Sequence, residues 1–149
     1  MNVCRGAASN SGAPVVSLLP RALLVEDDPV FAGLVEAMLR ESEPRFTLER
    51  VTELDAGVRR VLAGGIDVVL LDLGLPDSEG LDSVSTVHLF DTAVPIVVLT
   101  GLDDAEAAVQ AVREGAQDYL VKGRFDAERL VRTMTFAVER AGAAETADA

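Results

Sequence analysis

The stretch Val-Val-Leu-Leu-Asp at residues 68–72 decides the fold, because it places one acidic side chain directly after four apolar residues. A run that is hydrophobic throughout, rather than alternating, is typical of a parallel strand covered on both faces. Gly74 and Pro76 follow as loop formers. Ligands of open parallel sheets bind beyond the carboxyl ends of the strands, so Asp72 is the first candidate for chemistry.

Working outward from this strand, short apolar runs alternate with segments of helical periodicity. The predicted strands lie at residues 22–25, 46–51, 68–71, 96–99 and 118–121. Each predicted strand is followed by a predicted helix with one stripe of residues at helical spacing. In chain order, the five stripes are Phe31, Leu34, Val35, Met38 and Leu39; Leu54, Val58, Val61 and Leu62; Leu81, Val84, Val87 and His88; Ala105, Ala108, Val109 and Val112; and Leu130, Val131, Met134, Ala137 and Val138. This alternation predicts a flavodoxin-like α/β fold, (βα)5, in which a doubly wound five-stranded parallel sheet carries helices on both faces.

The length of 149 residues indicates one domain, which we place at residues 21–140. Residues 1–20 are rich in Asn, Ser, Gly, Ala and Pro and have no sustained period, which is typical of a flexible leader. Residues 141–149 are small and acidic, and we expect a frayed tail there.

Composition excludes several classes of function. The net charge of −12 opposes direct binding to nucleic acid or to an anionic membrane surface. Cys4 is the one cysteine of the chain, so an internal disulfide is impossible and a reducing, cytoplasmic setting fits best. The apolar stretch at residues 15–19 is too short for the hydrophobic region of a signal peptide or for a membrane span.

Polar residues end four of the predicted strands, and all of them should meet at one edge of the sheet. They are Glu26, Asp27, Asp28, Asp72, Thr100 and Lys122. Clustered carboxylates repel one another unless a cation binds or their pKa values rise, and a set of oxygen ligands without His or Cys favours Mg²⁺.

Each of these residues also has an ordinary structural interpretation. Asp28 precedes Pro29 and is more often a helix cap than a ligand in this position. Thr100 alone would be a helix cap, and Lys122 alone would be an exposed loop lysine. The ordered set at four strand ends is more specific than any single member.

Three motifs carry a resemblance to a known family over residues 21–140. They are Leu-Val-Glu-Asp-Asp-Pro at 24–29, Leu-Asp-Leu-Gly-Leu-Pro-Asp at 71–77 and Asp-Tyr-Leu-Val-Lys at 118–122. The chain resembles the receiver domain of two-component response regulators. The resemblance implies a phosphorylation-dependent signalling switch that takes its phosphoryl group from a histidine kinase or a histidine phosphotransfer protein. Such a domain catalyses only its own phosphorylation and dephosphorylation, so it is not a conventional enzyme.

The resemblance also implies a role for each site residue. Asp72 matches the phosphate acceptor, and Mg²⁺ would be held by Glu26, Asp27, Asp72 and the backbone carbonyl of Gly74. Thr100 and Lys122 match the hydroxyl and the ammonium that contact the phosphoryl group. Thr100 and Tyr119 match the pair that rearranges on phosphorylation. These roles agree with the charge neutralisation that phosphoryl transfer requires.

Two departures from the family pattern stand out. Gly123 follows Lys122 where the family usually has proline, so we expect a trans peptide there, because a cis bond without proline costs about 2.5–4 kcal/mol. No DNA-binding or catalytic module follows the predicted fifth helix, so the output is expected to be protein contact unless the chain is a fragment.

Two other functions compete with the switch. A phosphatase of the haloacid dehalogenase type would need a second aspartate two residues after Asp72, where this chain has Gly74. The alternative that we retain is a receiver-like interaction scaffold that is never phosphorylated. The clustered carboxylates argue against the scaffold, since it has no physical need for them.

The last prediction concerns a partner surface on the fifth helix. If Leu130, Met134, Ala137 and Val138 face the core, the residues that face solvent are Arg129, Arg132, Phe136 and Arg140. Aromatic and arginine side chains often dominate interface energetics, and receivers commonly use the fourth helix, fifth strand and fifth helix for dimers or targets. We expect this surface to contact a downstream protein or a second copy of the chain.

Overall fold

Strands and helices alternate along the chain in a computed structural model, which describes residues 19–43, 45–78, 82–90 and 93–148. The strands are β1 (Arg21–Val25), β2 (Thr47–Val51), β3 (Val68–Asp72), β4 (Ile96–Thr100) and β5 (Asp118–Val121). The helices are α1 (Pro29–Arg40), α2 (Leu54–Leu62), α3 (Ser83–His88), α4 (Ala105–Arg113) and α5 (Ala127–Asp148), with short 3-10 turns at Pro76–Ser78 and Leu102–Asp104. Residues 1–18 of the predicted leader and Leu81 of the predicted third helix lie outside the described residues.

All five strands form one parallel sheet in the order β2-β1-β3-β4-β5. β1 therefore lies between β2 and β3, and the chain reverses its direction of progress across the sheet after β2. Each strand agrees with its predicted position to within one residue at either end. The prediction of a doubly wound five-stranded parallel sheet is confirmed.

Two hydrophobic clusters cover the two faces of the sheet, because successive side chains of a strand point in opposite directions. The first cluster joins strand residues such as Leu24 and Leu70 to α1 and α5. The second joins Leu23 and Leu71 to α2, α3 and α4. The helices thus lie on both faces, as the apolar runs predict, and the polar strand ends are left at the carboxyl edge.

Two leucines of the predicted helical stripes face solvent instead of the core. Leu34 in α1 is 49% exposed, and the buried positions of this helix include the small Ala32. Leu62 is 69% exposed at the end of α2, where Gly64 and Gly65 turn the chain away with φ of 90°. In α2 the buried face includes Gly57, because the helix approaches β1 closely there.

Helix α5 is described as far as Asp148, beyond residue 140 where we place the end of the domain; the frayed tail stays a prediction. Alanine and glutamate in Ala-Gly-Ala-Ala-Glu-Thr-Ala-Asp, residues 141–148, are good helix formers, and they continue the last turn of the packed part of α5. Within the described part of the chain, no helix combines the length and the apolar character needed to cross a bilayer.

Candidate functional site at the carboxyl edge of the sheet

Three carboxylates converge where β1 and β3 end. Glu26 and Asp27 directly follow β1, and Asp72 is the last residue of the neighbouring strand β3. One oxygen from each of the three side chains lies within 4.8 Å of the others. Glu26 is fully buried and Asp72 is 6% exposed, whereas Asp27 is exposed to solvent. The structure therefore brings these three predicted site residues into one acidic pocket.

Lys122 follows β5 and reaches back across β4 to this pocket. Its Nζ atom lies 2.7 Å from Glu26 Oε1 and 3.5 Å from Asp72 Oδ1. Burial alone would lower the pKa of Lys122, but the contact with Glu26 and the negative charges of Asp72 and Glu26 outweigh it and raise that pKa above its usual value. Lys122 is therefore held as a cation between two buried carboxylates.

The pocket raises the pKa of Glu26 to about 7. Burial is the largest cause, since it disfavours the charged carboxylate, and the neighbouring Asp72 adds to the effect. Lys122 and the N–H of Asp28, which donates to Oε2 at 3.2 Å, act in the opposite direction. At Glu26, burial and the neighbouring Asp72 therefore outweigh the effect of Lys122 and the backbone N–H.

The residues present fit a hard divalent cation. Glu26 Oε1 is buried and faces the Lys122 ammonium at 2.7 Å, inside the acidic pocket. The N–H of Gly74 donates to Asp72 Oδ1 at 3.0 Å, which curls the backbone after β3 back beside the carboxylate. An oxygen-only donor set with surplus negative charge is typical of Mg²⁺ sites.

Asp28 has a structural role in this arrangement. Its side chain accepts a hydrogen bond from the N–H of Val30 at 3.0 Å and caps the N-terminus of α1, with Pro29 as the first helical residue. Among the described residues, the carboxylates that lie close enough together to hold a metal ion include Asp27 but not Asp28. The capped helix fixes the direction in which the chain leaves the acidic pocket.

Thr100 and Tyr119 lie on the neighbouring strands β4 and β5. Thr100 is 1% exposed at the end of β4, and its hydroxyl donates to the carbonyl of Gly101 at 3.2 Å. By strand alternation Thr100 shares the face of Val98, the partner of Tyr119 in the register of the sheet. Tyr119 is half-buried against the second hydrophobic cluster on that face. Both side chains therefore lie on the face that α4 covers.

The chain after Lys122 turns through a glycine. Gly123 has φ of 82°, a conformation that proline, with φ fixed near −65°, cannot adopt. The N–H of Lys122 donates to the carbonyl of Thr100 at 2.8 Å, so the backbone of the lysine is tied to the end of β4. Glycine in place of proline at this point is consistent with the local backbone.

Three contacts around the pocket were missed by the sequence patterns, because each joins residues far apart in the chain. The Phe31 ring lies under the Lys122 ammonium, and Arg50 Nε donates to the carbonyl of Glu26 at 3.0 Å. Asp77, in the loop after β3, accepts hydrogen bonds from the N–H groups of Leu54 and Asp55 at 2.8 and 3.0 Å. Glu53, the N-cap residue of α2, makes no side-chain capping hydrogen bond, so Asp77 supplies the acceptor for these N–H groups.

On α5, the side chains predicted to form a partner surface are exposed. They are Arg129, Arg132, Phe136 and Arg140. Phe136 is 49% exposed, while Leu130 and Met134 of the same helix are fully buried. The helix thus presents a surface that combines an aromatic ring with positive charges.

A doubly wound α/β domain with an acidic pocket, a lysine and a threonine at the carboxyl edge of its sheet defines the class of receiver-type signalling domains. The chain belongs to the response regulator receiver domain family, which matches it over residues 22–135.

Among curated proteins, the cell cycle transcriptional regulator CtrA of Caulobacter vibrioides is 34% identical over 115 residues, covering 75% of this chain and 48% of the relative. The cell cycle response regulator CtrA of Brucella ovis is 34% identical over 105 residues, covering 68% of this chain and 43% of the relative. The chain therefore spans about half the length of these relatives or less.

Solved structures show the same fold. The signal receiver domain of a putative Luxo repressor protein from Vibrio parahaemolyticus has a TM-score of 0.74 at 25% identity, covering 89% of this chain and 99% of that one. NtrX from Brucella abortus, solved in complex with ADP, has a TM-score of 0.74 at 24% identity, covering 88% of this chain and 30% of that one. The chain therefore shares its fold with these two structures.

Proposed function

We propose that this domain is a phosphorylation-dependent switch that accepts a phosphoryl group on Asp72. The observation that carries the proposal is the position of the Asp72 carboxylate. It is nearly buried, it lies in one cluster with Glu26 and Asp27, and it is 3.5 Å from the ammonium of Lys122. This arrangement supplies a nucleophile, ligands for a cation and a fixed positive charge at one point.

The chemistry follows from these groups. An oxygen of Asp72 attacks the phosphorus of a phosphohistidine, the P–N bond breaks, and an acyl phosphate forms on the aspartate. Mg²⁺, bound by Glu26, Asp27, Asp72 and the carbonyl of Gly74, would supply neutralisation of charge on the phosphoryl oxygens. Lys122 moves its contact from the carboxylates to the transferred group. Attack by water on the same phosphorus returns Asp72 to its resting state, so the domain resets itself.

The signal would leave the site through Thr100 and Tyr119. A dianion on Asp72 would draw the Thr100 hydroxyl toward it, and the space that is vacated on the α4 face would admit the Tyr119 ring. The face formed by α4, β5 and α5 would then change shape. Beryllofluoride, which imitates the phosphoryl group, should shift the nuclear magnetic resonance signals of Tyr119. Shift changes that are confined to residues of the acidic pocket would refute this coupling.

The partners follow from this cycle. The donor is a histidine kinase or a histidine phosphotransfer protein, which places the domain in the cytoplasm with the ATP that such kinases use. The output is contact with a downstream protein or a second copy of the chain, through the α5 surface of Arg129, Arg132, Phe136 and Arg140. Direct contact with nucleic acid is opposed by the net charge of −12.

Mass spectrometry after incubation with acetyl phosphate and Mg²⁺ tests the proposal. The wild type should gain one phosphoryl group, and Asp72→Asn should gain none. Asp118→Asn is the matched control, because Asp118 is an exposed strand aspartate at the opposite edge of the sheet. Absence of labelling in the wild type would favour the unphosphorylated scaffold, and undiminished labelling of Asp72→Asn would assign the acceptor role to another residue.

A further inference from the structure

An aromatic ring lies against the charged end of Lys122. Phe31, in the first turn of α1, has its ring centroid 4.6 Å from Lys122 Nζ. This distance is within the range in which the negative face of a ring attracts a cation. Phe31 is only 8% exposed, so little water competes for that face.

A second ring fixes the orientation of the first. Phe125, three residues after Lys122, meets Phe31 edge to face, with ring centroids 6.2 Å apart and planes at 83°. Phe125 is partly buried against the first hydrophobic cluster, to which Phe31 belongs. The Phe31 ring is therefore held from α1 through its own backbone and from the β5–α5 loop through Phe125.

We propose that Phe31 is a positioning residue for Lys122, an inference that rests on the proposed phosphoryl transfer. The lysine stem is flexible, and a Cβ atom on the neighbouring Gly123 would meet nothing within 4 Å. The carboxylates of Glu26 and Asp72 attract the ammonium, but they change charge or partner when a cation binds or Asp72 is phosphorylated. The ring attracts the ammonium without adding a negative charge that would compete with the phosphoryl group.

Two leucine variants separate this role from ordinary packing. Phe31→Leu removes the ring face, and Phe46→Leu is the matched control, because Phe46 is also 8% exposed in the same cluster. The rate of Asp72 labelling by acetyl phosphate should fall about fivefold in Phe31→Leu. Phe46→Leu should label at the wild-type rate under conditions in which both variants are folded. Equal rates in the wild type and Phe31→Leu would overturn the inference.

Ring fluorination provides a test that keeps the shape of the side chain. Phenylalanine with one, two or three fluorine atoms at position 31 has a progressively weaker negative face, so the labelling rate should fall stepwise. A constant rate across the series would show that Phe31 acts by packing alone. This series also answers the question if Phe31→Leu does not fold.

A readout without phosphorylation distinguishes failure of this inference from failure of the proposed function. In the metal-free protein, the ring current of Phe31 should shift the ε-methylene protons of Lys122 upfield. The shift should disappear in Phe31→Leu and persist in Phe46→Leu. A Lys122 signal at its unperturbed position in the wild type would refute the ring–lysine contact, whereas a wild type that shows the shift but takes no label would refute the proposed function instead.

Discussion

Replacing Gly57 by alanine should destabilise the domain, although alanine is the better helix former. A Cβ atom at position 57 would lie 2.9 Å from Val25 Cγ2, 3.4 Å from Val25 Cγ1 and 3.6 Å from Phe90 Cζ. Val25 cannot move aside easily, because it is fully buried and β1 is paired on both sides. The gain in helix propensity is about 1 kcal/mol. Overpacking of this kind costs about 2–3 kcal/mol, which leaves a net loss of about 1–2 kcal/mol.

Gly33→Ala is the matched control, since Gly33 is also in the interior of a helix and a Cβ there would meet nothing within 4 Å. This variant should gain about 0.5–1 kcal/mol. Urea unfolding followed by circular dichroism gives both values, and a change of 1 kcal/mol corresponds to about 2–4 °C in Tm for a domain of this size. If Gly57→Ala stabilised the protein as much as Gly33→Ala, the close approach of α2 to β1 would be refuted.

Three further predictions concern acidic residues. Asp77→Ala should lower the free energy of unfolding by about 1–2 kcal/mol, because the N-terminus of α2 loses two hydrogen bonds. The control is Asp55→Ala, which removes an exposed ion pair and should lower the free energy of unfolding by less than about 0.5 kcal/mol in the same urea titration. Hydrogen bonds from Arg60, with a further one from Arg21, hold the pKa of Glu49 at about 2, below its usual 4.5. As the pH falls, Glu49 therefore takes up a proton in the unfolded chain before it does so in the folded protein. Glu49→Gln should have a lower free energy of unfolding than the wild type at pH 6, and the two free energies should approach each other toward pH 3. A difference in free energy that does not change with pH would contradict this linkage. Asp27→Ala should weaken Mg²⁺ binding in a calorimetric titration, and unchanged affinity would move the ligand role to Asp28.

The strands were predictable because each is a local property of the chain. Runs such as residues 68–71 are apolar throughout, a pattern that is typical of a strand covered on both faces. The convergence of Glu26, Asp27, Asp72 and Lys122 then follows from the geometry of parallel strands, whose carboxyl ends share one edge. The acidic pocket was therefore accessible from sequence, although the roles of its residues stay predictions.

Exact helix faces and long-range contacts were not predictable in the same way. Leu34 fits a helical stripe by spacing, yet it is exposed and the small Ala32 lies on the buried face of α1 instead. The partners of Phe31 and Asp77 are 91 and 23 residues away at Lys122 and Leu54, so no periodic pattern signals them. The sequence does not decide where α5 ends, because acidic, alanine-rich segments are compatible with both a helix and a disordered tail.

The charged side chains on the edge strand β2 oppose edge-to-edge pairing between two copies of the molecule. A strand with one unpaired side offers its backbone to any other strand, which is a common route to aggregation. On β2, Glu49 is bound by Arg60 through two hydrogen bonds of 2.7 and 3.0 Å and by Arg21 at 2.8 Å, and Arg50 follows it with an exposed side chain. A strand that added here would have to approach a row of fixed charges. The same ion-pair network that fastens β2 to α2 thereby also keeps this edge from becoming a template for fibres.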